Sequence, residues 1–388
     1  MNVDQIKLGI AGLGLAGAFM IRAAARHPGF ALVAGMDPAS APREAFARDF
    51  GARIYPDFES LCADPDVEAI YIASPHRFHA DQAVRALRSG KHVLVEKPLA
   101  LTLEDCDRVV EAAERSTRVL IVGHSHGFDP NVRKMREIIA SGDLGRVAMV
   151  LSFNYTDYVY RPHGPDETKR EFGGGVIFNQ VAHQIEIVRL LVGDRITALR
   201  ARVDRLDDEI VTDGTSMSFL EFEGGAVASL TYNGYGYFDS DEFHHDVAEG
   251  GTLKSGGHAF LRFKSAKHRD EGAIKGVAYG ARDLPLEQPF LPHFGVTIVT
   301  CERGDIRMSA DGILVHGGEG TQHVSVPRGR GRPGQGDALD ALWNAVREGK
   351  PCVQDASWGR ETVAALLAIQ RSAITSSRVE LEQSRAMA

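Results

Sequence analysis

Lys7-Leu-Gly-Ile-Ala-Gly12-Leu-Gly14-Leu-Ala-Gly17 decides how the first third of the chain is read. A short apolar run feeds into glycines spaced G-x-G-x-x-G, and Ala18-Phe-Met-Ile-Arg-Ala-Ala-Ala-Arg26 follows at once. The pattern predicts a strand, a tight turn and a helix. In such a unit Gly12 allows the turn, Gly14 lets backbone approach a pyrophosphate, and Gly17 lets helix and strand pack closely. Unpaired N–H groups at the helix start then face the phosphates. Ala31-Leu-Val-Ala-Gly-Met36 reads as the second strand, with Asp37 directly at its end. That places a carboxylate about 20 residues past the last glycine, where it accepts hydrogen bonds from ribose hydroxyls and repels a 2′-phosphate. Pro38 and Ala39 come next and no arginine appears before Arg43, so NAD is favoured over NADP. The plainer alternatives are a glycine turn without a ligand and an Asp37 that only caps a turn.

Outward from this stretch, residues 43–50 read as a helix that Gly51 ends, and Val67-Glu-Ala-Ile-Tyr-Ile72 as a buried strand closing on Ser74-Pro75-His76. A helix carrying His79, Ala83 and Leu87 runs to Gly90. His92-Val-Leu-Val95 is the next strand, with Glu96-Lys97-Pro98 at its carboxyl end. Thr102 caps a helix in the manner of a capping box with Asp105, and Val119-Leu-Ile-Val122 ends at Gly123-His124. Strands alternating with helices over about 125 residues imply a parallel, doubly wound α/β sheet. Ligands of such sheets lie beyond the carboxyl ends of the strands. Ser74 to His76, Glu96 to Pro98 and His124 to His126 all fall there.

The remainder has a different rhythm. A helix over residues 131–140 precedes alternating strands over 148–154, 216–222 and 226–232, the last two joined by Glu223-Gly-Gly225. This predicts an α+β domain with a large open, mainly antiparallel sheet. The expected division is 1–125 and 126–388. Residues 326–336, rich in Gly, Pro and Arg, read as a linker, with closing helices over 336–347 and 356–372.

A chain of 388 residues is too long for one ordinary core. Its 44% hydrophobic and 25% charged residues are ordinary for a globular enzyme, and a net charge of −8 argues against a nucleic-acid or anionic-membrane partner. No stretch reaches the roughly 18 uncharged apolar residues of a membrane span. Met1-Asn-Val-Asp leads directly into the first strand, so the expected compartment is the cytoplasm. Cys62, Cys106, Cys301 and Cys352 are scattered and read as free thiols. No metal is expected: His124-x-His126 lacks completing ligands, and His244-His245 among Asp239, Asp241, Glu242 and Asp246 reads as a polar rim or a loop.

Between the two rhythms lies Phe172-Gly-Gly-Gly-Val-Ile-Phe-Asn179-Gln-Val-Ala-His183-Gln-Ile-Glu186. At about 100° per residue, Asn179, His183 and Glu186 fall within about 60° of one another, opposite Ile177, Val181, Ile185, Val188 and Val192. One face is expected to pack and the other to reach a polar site, with His183 as acid or base because an imidazole titrates near neutral pH. Lys97 is the second candidate, able to donate a hydrogen bond to a reacting oxygen and relay its proton. The alternatives are a satisfied histidine and an exposed lysine paired to Glu96.

Together, the Gly12 to Gly17 turn, Ser74-Pro75-His76 with His79, Glu96-Lys97-Pro98, and the triple glycine followed by His183 resemble the glucose-fructose oxidoreductase, inositol dehydrogenase and rhizopine catabolism (Gfo/Idh/MocA) family. The resemblance spans essentially the whole chain. It implies an N-terminal Rossmann domain, a substrate domain whose open sheet forms the contact of a homodimer or homotetramer, and a hydride passed at the domain interface. It also implies that Lys97 and His183 act on the substrate oxygen. Expected cofactor contacts are Gly12, Gly14, Leu15, Ala16, Gly17, Asp37, Ser74, Pro75, His76, His79, Glu96 and Lys97. Many members carry an aspartate where this chain has Asn179, and a glycine where it has Val181.

Asn154-Tyr-Thr-Asp-Tyr-Val-Tyr-Arg161-Pro, residues 178–186 and Gly234-Tyr-Gly-Tyr-Phe-Asp-Ser-Asp241-Glu are similar, more narrowly, to bacterial dehydrogenases of the cis-4,5-dihydrodiol of phthalate. Such a substrate has two carboxylates, for which Arg161, His163, Lys169 and Arg170 offer cations on one loop. Tyr155, Tyr158 and Tyr160 would flank a ring. The expected substrate contacts are Lys97, His124, Tyr155, Arg161, Asn179 and His183. Alternatives are a sugar or inositol dehydrogenase and a catalytically silent, cofactor-sensing regulator.

Overall fold

The computed structural model describes residues 4–123, 126–161, 163–164, 166–254, 279–280, 289–328 and 334–381. In its first part β1 (Ile6–Ala11), β2 (Phe30–Met36), β3 (Arg53–Tyr55), β4 (Ala69–Ile72), β5 (His92–Val95) and β6 (Leu120–Val122) form one sheet in the order β3-β2-β1-β4-β5-β6. Every pair is parallel. Helices α1 (Leu15–Arg26), α2 (Ser40–Phe50), α3 (Phe58–Ala63), α4 (His79–Arg88) and α5 (Leu103–Arg115) make the crossovers. All four residues of β4 and of β5 are buried, which is why both read as uninterrupted apolar runs. Thr102 caps α5 as expected, its hydroxyl accepting from the Asp105 N–H at 3.1 Å. The edge strand β3 was not legible, because only three residues pair there and one is an exposed arginine.

In the second part α6 (Pro130–Ala140) precedes β7 (Val147–Tyr155), and a π-helical turn over Ile177–Val181 runs into α7 (Ala182–Val192). Strands β8 (Ile196–Asp204), β9 (Thr215–Phe222), β10 (Val227–Asn233), β11 (Val296–Cys301), β12 (Gly304–Ser309), β13 (Gly312–Gly317), β14 (Gly320–Ser325) and β15 (Val379–Glu380) join β7 in a nine-stranded sheet. Its order is β14-β13-β12-β11-β7-β10-β9-β8-β15. β7 and β10 run parallel, and the other neighbours run antiparallel. The expected hairpin joins β9 to β10, with Gly225 at φ 86° in its turn.

One face of this sheet packs under α7, whose Gln184 amide donates to Ser152 and to the Thr231 carbonyl. The opposite face leaves Met149, Leu151, Met217 and Phe219 between 42% and 59% exposed. Register aligns Leu151, Ser229, Phe219 and Arg200 in one row across four strands. An apolar stripe edged by arginine results.

After the second sheet come α8 (Gln335–Glu348) and α9 (Ala356–Thr375). Helix α8 belongs to the first sheet: His27 Nε2 lies 2.9 Å from Asp340 Oδ1 and Arg347 Nη2 donates to Glu68 Oε2 at 2.8 Å. The Trp343 ring lies so close to Gly29 that a Cβ there would be 2.5 Å from it. Of the described residues, those up to 123 with 279–280 and 334–363 form one compact unit, and the others form a second. A single division after residue 125 therefore marks where the chain leaves the first unit, without the return that completes it. No described helix is long and apolar enough to cross a membrane, and the four cysteines are free thiols.

Candidate active site

At the end of β1, Gly12 has φ 94°, and a Cβ there would stand 2.6 Å from the Ala73 carbonyl oxygen. A Cβ on Gly17 would stand 2.0 Å from the Gly12 carbonyl oxygen. Both positions are closed to side chains by packing. Gly14 differs: nothing lies within 4 Å of where its Cβ would be. Helix α1 starts directly after it with no side-chain cap, so its first N–H groups remain for an anion. A shielded turn, an open Gly14 and an uncapped helix start, with Leu15 and Ala16 in the first turn, fit a dinucleotide's pyrophosphate.

Asp37 is fixed beside this turn. Its Oδ2 accepts from Leu13 N–H and its Oδ1 from Ala39 N–H, each at 2.9 Å. It thus caps a turn and keeps spare lone pairs on both oxygens for ribose hydroxyls. Arg43 is turned onto the Asp37 and Pro38 carbonyls.

The loops after β4 and β5 are tied together by His79, which is fully buried. Its Nδ1 is 2.7 Å from the Pro98 carbonyl oxygen and its Nε2 is 2.8 Å from that of Ser74. Both ring nitrogens are engaged with backbone, so His79 positions its neighbours rather than meeting a ligand. Ser74 Oγ donates to Gln82 at 2.6 Å. Burial, with His79 and Lys97 nearby, pushes the His76 imidazole well below its ordinary pKa and keeps it neutral. The buried Tyr71 hydroxyl donates to Glu96, and Lys97, half-buried, precedes Pro98 through a cis peptide. His124 lies outside the described residues.

In the second unit the site is built from side chains. Asp213, from the connection before β9, caps the π-helical turn from outside, its Oδ2 accepting from Val176 N–H at 3.0 Å and Ile177 N–H at 3.3 Å. Burial pushes its pKa up, against the hydrogen bonds. A Cβ on Gly175, at φ 92°, would lie 2.8 Å from that carboxylate, so the triple glycine admits a group of the chain itself. Asn179 donates both amide protons backwards, to the Gly173 carbonyl at 2.9 Å and the Gly175 carbonyl at 2.8 Å. Through its amide nitrogen it is a clip for the glycine loop, with no proton left there for a substrate hydroxyl. The expected two-faced helix is also corrected. Asn179 sits inside the π-helical turn, ahead of the α-helical residues that carry His183 and Glu186, so the 100° arithmetic fails, and α7 is buried on all sides from Ala182 to Leu191.

His183, 8% exposed, meets His126 edge-on at a ring separation of 4.8 Å, and both rings lie 4.9 Å from Phe294. His126 Nδ1 is 2.6 Å from Asp129 Oδ2. Tyr232 stacks on Phe294 and shares hydrogen bonds with Thr156 at 2.9 Å and Gln180 at 3.2 Å. Arg161 Nε donates to Asp157 at 2.8 Å, and its Nη1 is 3.5 Å from Glu249. Glu249 also accepts from Asn154 at 2.9 Å. Burial opposes the charge on Arg161, but Glu249 and Asp157 hold the guanidinium above its ordinary pKa.

Of the four loop cations, Arg161 reaches this buried cluster. His163 turns to the Tyr158 carbonyl, Lys169 covers Phe172, and Arg170 is exposed. Tyr155 is not brought to His183: strand alternation sends Asn154 to the α7 side and Tyr155 to the open face, against Phe153 and Phe238. His244 is structural, stacked on His293 at 3.8 Å and bonded to the Gly295 carbonyl. Among the described residues no three metal-binding side chains cluster. Glu249, Tyr232, Asp213 and Phe294 were missed, since no local motif marks them; the i,i+3 spacing of His126 and Asp129 at a helix start was the one available signal.

Comparison with known proteins agrees with both halves. Residues 6–124 match the oxidoreductase family model with an NAD-binding Rossmann fold, and residues 132–247 match the GFO/IDH/MocA C-terminal domain. The chain is 37% identical over 376 residues, 94% of each protein, to the 1-carboxy-3-chloro-3,4-dihydroxycyclohexa-1,5-diene dehydrogenase of Comamonas testosteroni. It is 35% identical over 240 residues, 60% of this chain and 68% of the other, to inositol 2-dehydrogenase 2 of Saccharopolyspora erythraea. A crystal structure from Bordetella bronchiseptica RB50 superposes with a TM-score of 0.91 at 40% identity, covering 97% of this chain and 100% of that one. On these grounds the chain belongs to the Gfo/Idh/MocA family of NAD-binding oxidoreductases.

Proposed function

We propose that this oxidoreductase oxidises one carbinol of a cyclic cis-dihydrodiol bearing a carboxylate, most concretely the cis-4,5-dihydrodiol of phthalate, to give 4,5-dihydroxyphthalate. The observation that carries the reading is the 37% identity, along 94% of both chains, to a dehydrogenase named for a carboxylated dihydroxycyclohexadiene. Arg161 is the carboxylate ligand in this reading. Its 3.5 Å contact with Glu249 is at the long limit of a hydrogen bond, and an incoming carboxylate with two parallel acceptors competes well for a guanidinium.

The cofactor is NAD, held by the Gly12 to Gly17 turn and Asp37, whose carboxylate disfavours a 2′-phosphate. When bound, the oxidised nicotinamide accepts the hydride and its electron pair. Lys97 donates a hydrogen bond to the carbinol oxygen, and His183 accepts the hydroxyl proton as the carbonyl forms. The ketone tautomerises to a catechol, and aromatisation makes the oxidation effectively one-way. A polyol reader is less well supported: Asn154 and Asn179 spend amide protons on Glu249, Gly173 and Gly175 rather than offering them to hydroxyls. The exposed stripe of Met149, Leu151, Met217 and Phe219 supports assembly through the open sheet as a homodimer or homotetramer. Light scattering that finds only monomer overturns that assignment.

The test is NADH absorbance with NAD or NADP against phthalate cis-4,5-dihydrodiol, myo-inositol and simple hexoses. Turnover confined to the dihydrodiol with NAD is expected. Turnover on polyols alone overturns the substrate, and nucleotide binding without turnover on any alcohol favours the regulator.

A further inference from the structure

We propose that the proton taken by His183 is shared with a carboxylate-backed second imidazole, His126 with Asp129, which supplies from another helix the negative charge that position 179 lacks. The inference rests on the dehydrogenase reading above.

Position 179 cannot supply that charge. Both amide protons of Asn179 are committed to the Gly173 and Gly175 carbonyls, so the glycine loop is folded around a donor. A carboxylate there would face two carbonyl oxygens. A carboxylate bonded to one of the histidines comes instead from Asp129, directly after the short helical turn His126–Phe128. The Asp129 N–H bonds the His126 carbonyl at 3.2 Å, and the Asp129 carbonyl accepts from Arg133 N–H at 3.0 Å, which fixes this turn at the head of α6. The Asp129 side chain is 1% exposed and its Oδ2 lies 2.6 Å from His126 Nδ1. A carboxylate only accepts, so Nδ1 carries the proton and Nε2 is where His126 gains or loses one.

The His126 and His183 rings are 4.8 Å apart at 80°, and both rest on Phe294, which is 2% exposed. Two imidazoles this close on an apolar floor repel each other when both are charged, so a positive charge on either one is felt by the other. Glu249 and His293 also act electrostatically on His126. Arg161 neutralises Glu249 in part, Glu186 is buried on α7 three residues after His183, and Asp129 is the carboxylate bonded to His126.

In the step itself the carbinol C–H electron pair leaves as hydride to the oxidised nicotinamide, the C=O bond forms, and the O–H proton passes to His183. The resulting positive charge is shared with His126 opposite Asp129, and one proton then leaves to water. His126 and Asp129 act through His183 and are positioning residues.

The experiment is the pH profile of kcat/KM with NAD and phthalate cis-4,5-dihydrodiol, for wild type, Asp129→Asn and His126→Gln. Loss of the Asp129 charge should lower kcat by about 10- to 100-fold and move the acidic limb about 1 pH unit downward, because the pair gives up its proton more readily. The KM for NAD should not change. A lower rate with an unmoved limb in both variants marks a merely structural role and overturns the proposal. If the Asp129→Asn protein does not fold, the His126→Gln profile decides. NMR titration of the histidine imidazoles in substrate-free protein separates this from failure of the substrate reading. Where wild type oxidises no dihydrodiol, the His183 titration still shifts in His126→Gln if the pair exists, and an unchanged titration overturns it.

Discussion

In the first unit the groups poised for a ligand are mostly backbone: the shielded turn at Gly12, the open Gly14, and the uncapped start of α1. Its side chains largely serve the chain itself, His79 holding two carbonyls and Asp37 two N–H groups. In the second unit the backbone recedes and the site is a buried meeting of side chains from five places, His126, His183, Tyr232, Glu249 and Phe294. A backbone site needs particular residues only where a Cβ would collide, and those sit within a few positions of one another. A side-chain site needs its members brought together by the whole sheet, so substitutions there act on chemistry more than on cofactor binding.

The strongest way to break this contrast is to delete Lys97 and His183, the two side chains proposed to act on the substrate oxygen. His183→Ala should lower turnover by about 10² to 10⁴ and leave NADH binding, followed by fluorescence, nearly unchanged. Lys97→Met should do the same although it stands in the backbone-built unit. If His183→Ala also abolished NADH binding, the two sites would not be separable.

Asn179→Asp comes next. It replaces two hydrogen bonds by a charge set against two carbonyl oxygens at a position only 4% exposed, and should cost about 2–4 kcal/mol in urea unfolding at pH 7. An unchanged midpoint would show that the loop does not depend on an amide donor.

Acid should weaken both units. Burial pushes His92 down to about 4 and His293 down to about 3. His92 Nδ1 also accepts from Val119 N–H at 2.9 Å, which requires a free lone pair there. The unfolded chain takes up these protons near pH 6.5 and the folded chain does not. Stability is therefore full above pH 6.5 and falls as pH drops toward 4 for His92 and 3 for His293, by up to about 1.4 kcal/mol per pH unit for each. Thermal unfolding from pH 7.5 to 5 measures this, and a flat midpoint would contradict it.

The smallest effect is at Asp37→Ser, which removes the repulsion of a 2′-phosphate and should raise the NADP to NAD ratio of kcat/KM by about 10-fold, or about 1.4 kcal/mol. A ratio that does not move would take cofactor choice away from the end of β2.

The two units were unequally legible for the same reason. The fingerprint, β2, β5 and the Thr102 cap were read from sequence because each is fixed by neighbours a few residues apart. The nine-stranded sheet was visible as a class, yet the short hairpins of β11 to β14 went unread, and the pairings of β7 with β10 and with β11 join segments about 80 and about 150 residues apart, which period-2 patterning alone does not specify. His183 stood out through the triple glycine. Asn179 departs from the expectation because a regular helix has 3.6 residues per turn and a π-helical turn does not, and Tyr155 because the alternation of β7 turns it to the open face.

The return of α8 to the first sheet has a consequence for biosynthesis. Trp343, Asp340 and Arg347 cover Gly29, His27 and Glu68, yet they leave the ribosome roughly 200 residues after β6. At about 5–20 residues per second the nucleotide unit waits roughly 10–40 s for its last wall. Through that interval the outer side of α1 is uncovered, a surface for chaperones to hold and for premature stop codons to leave exposed.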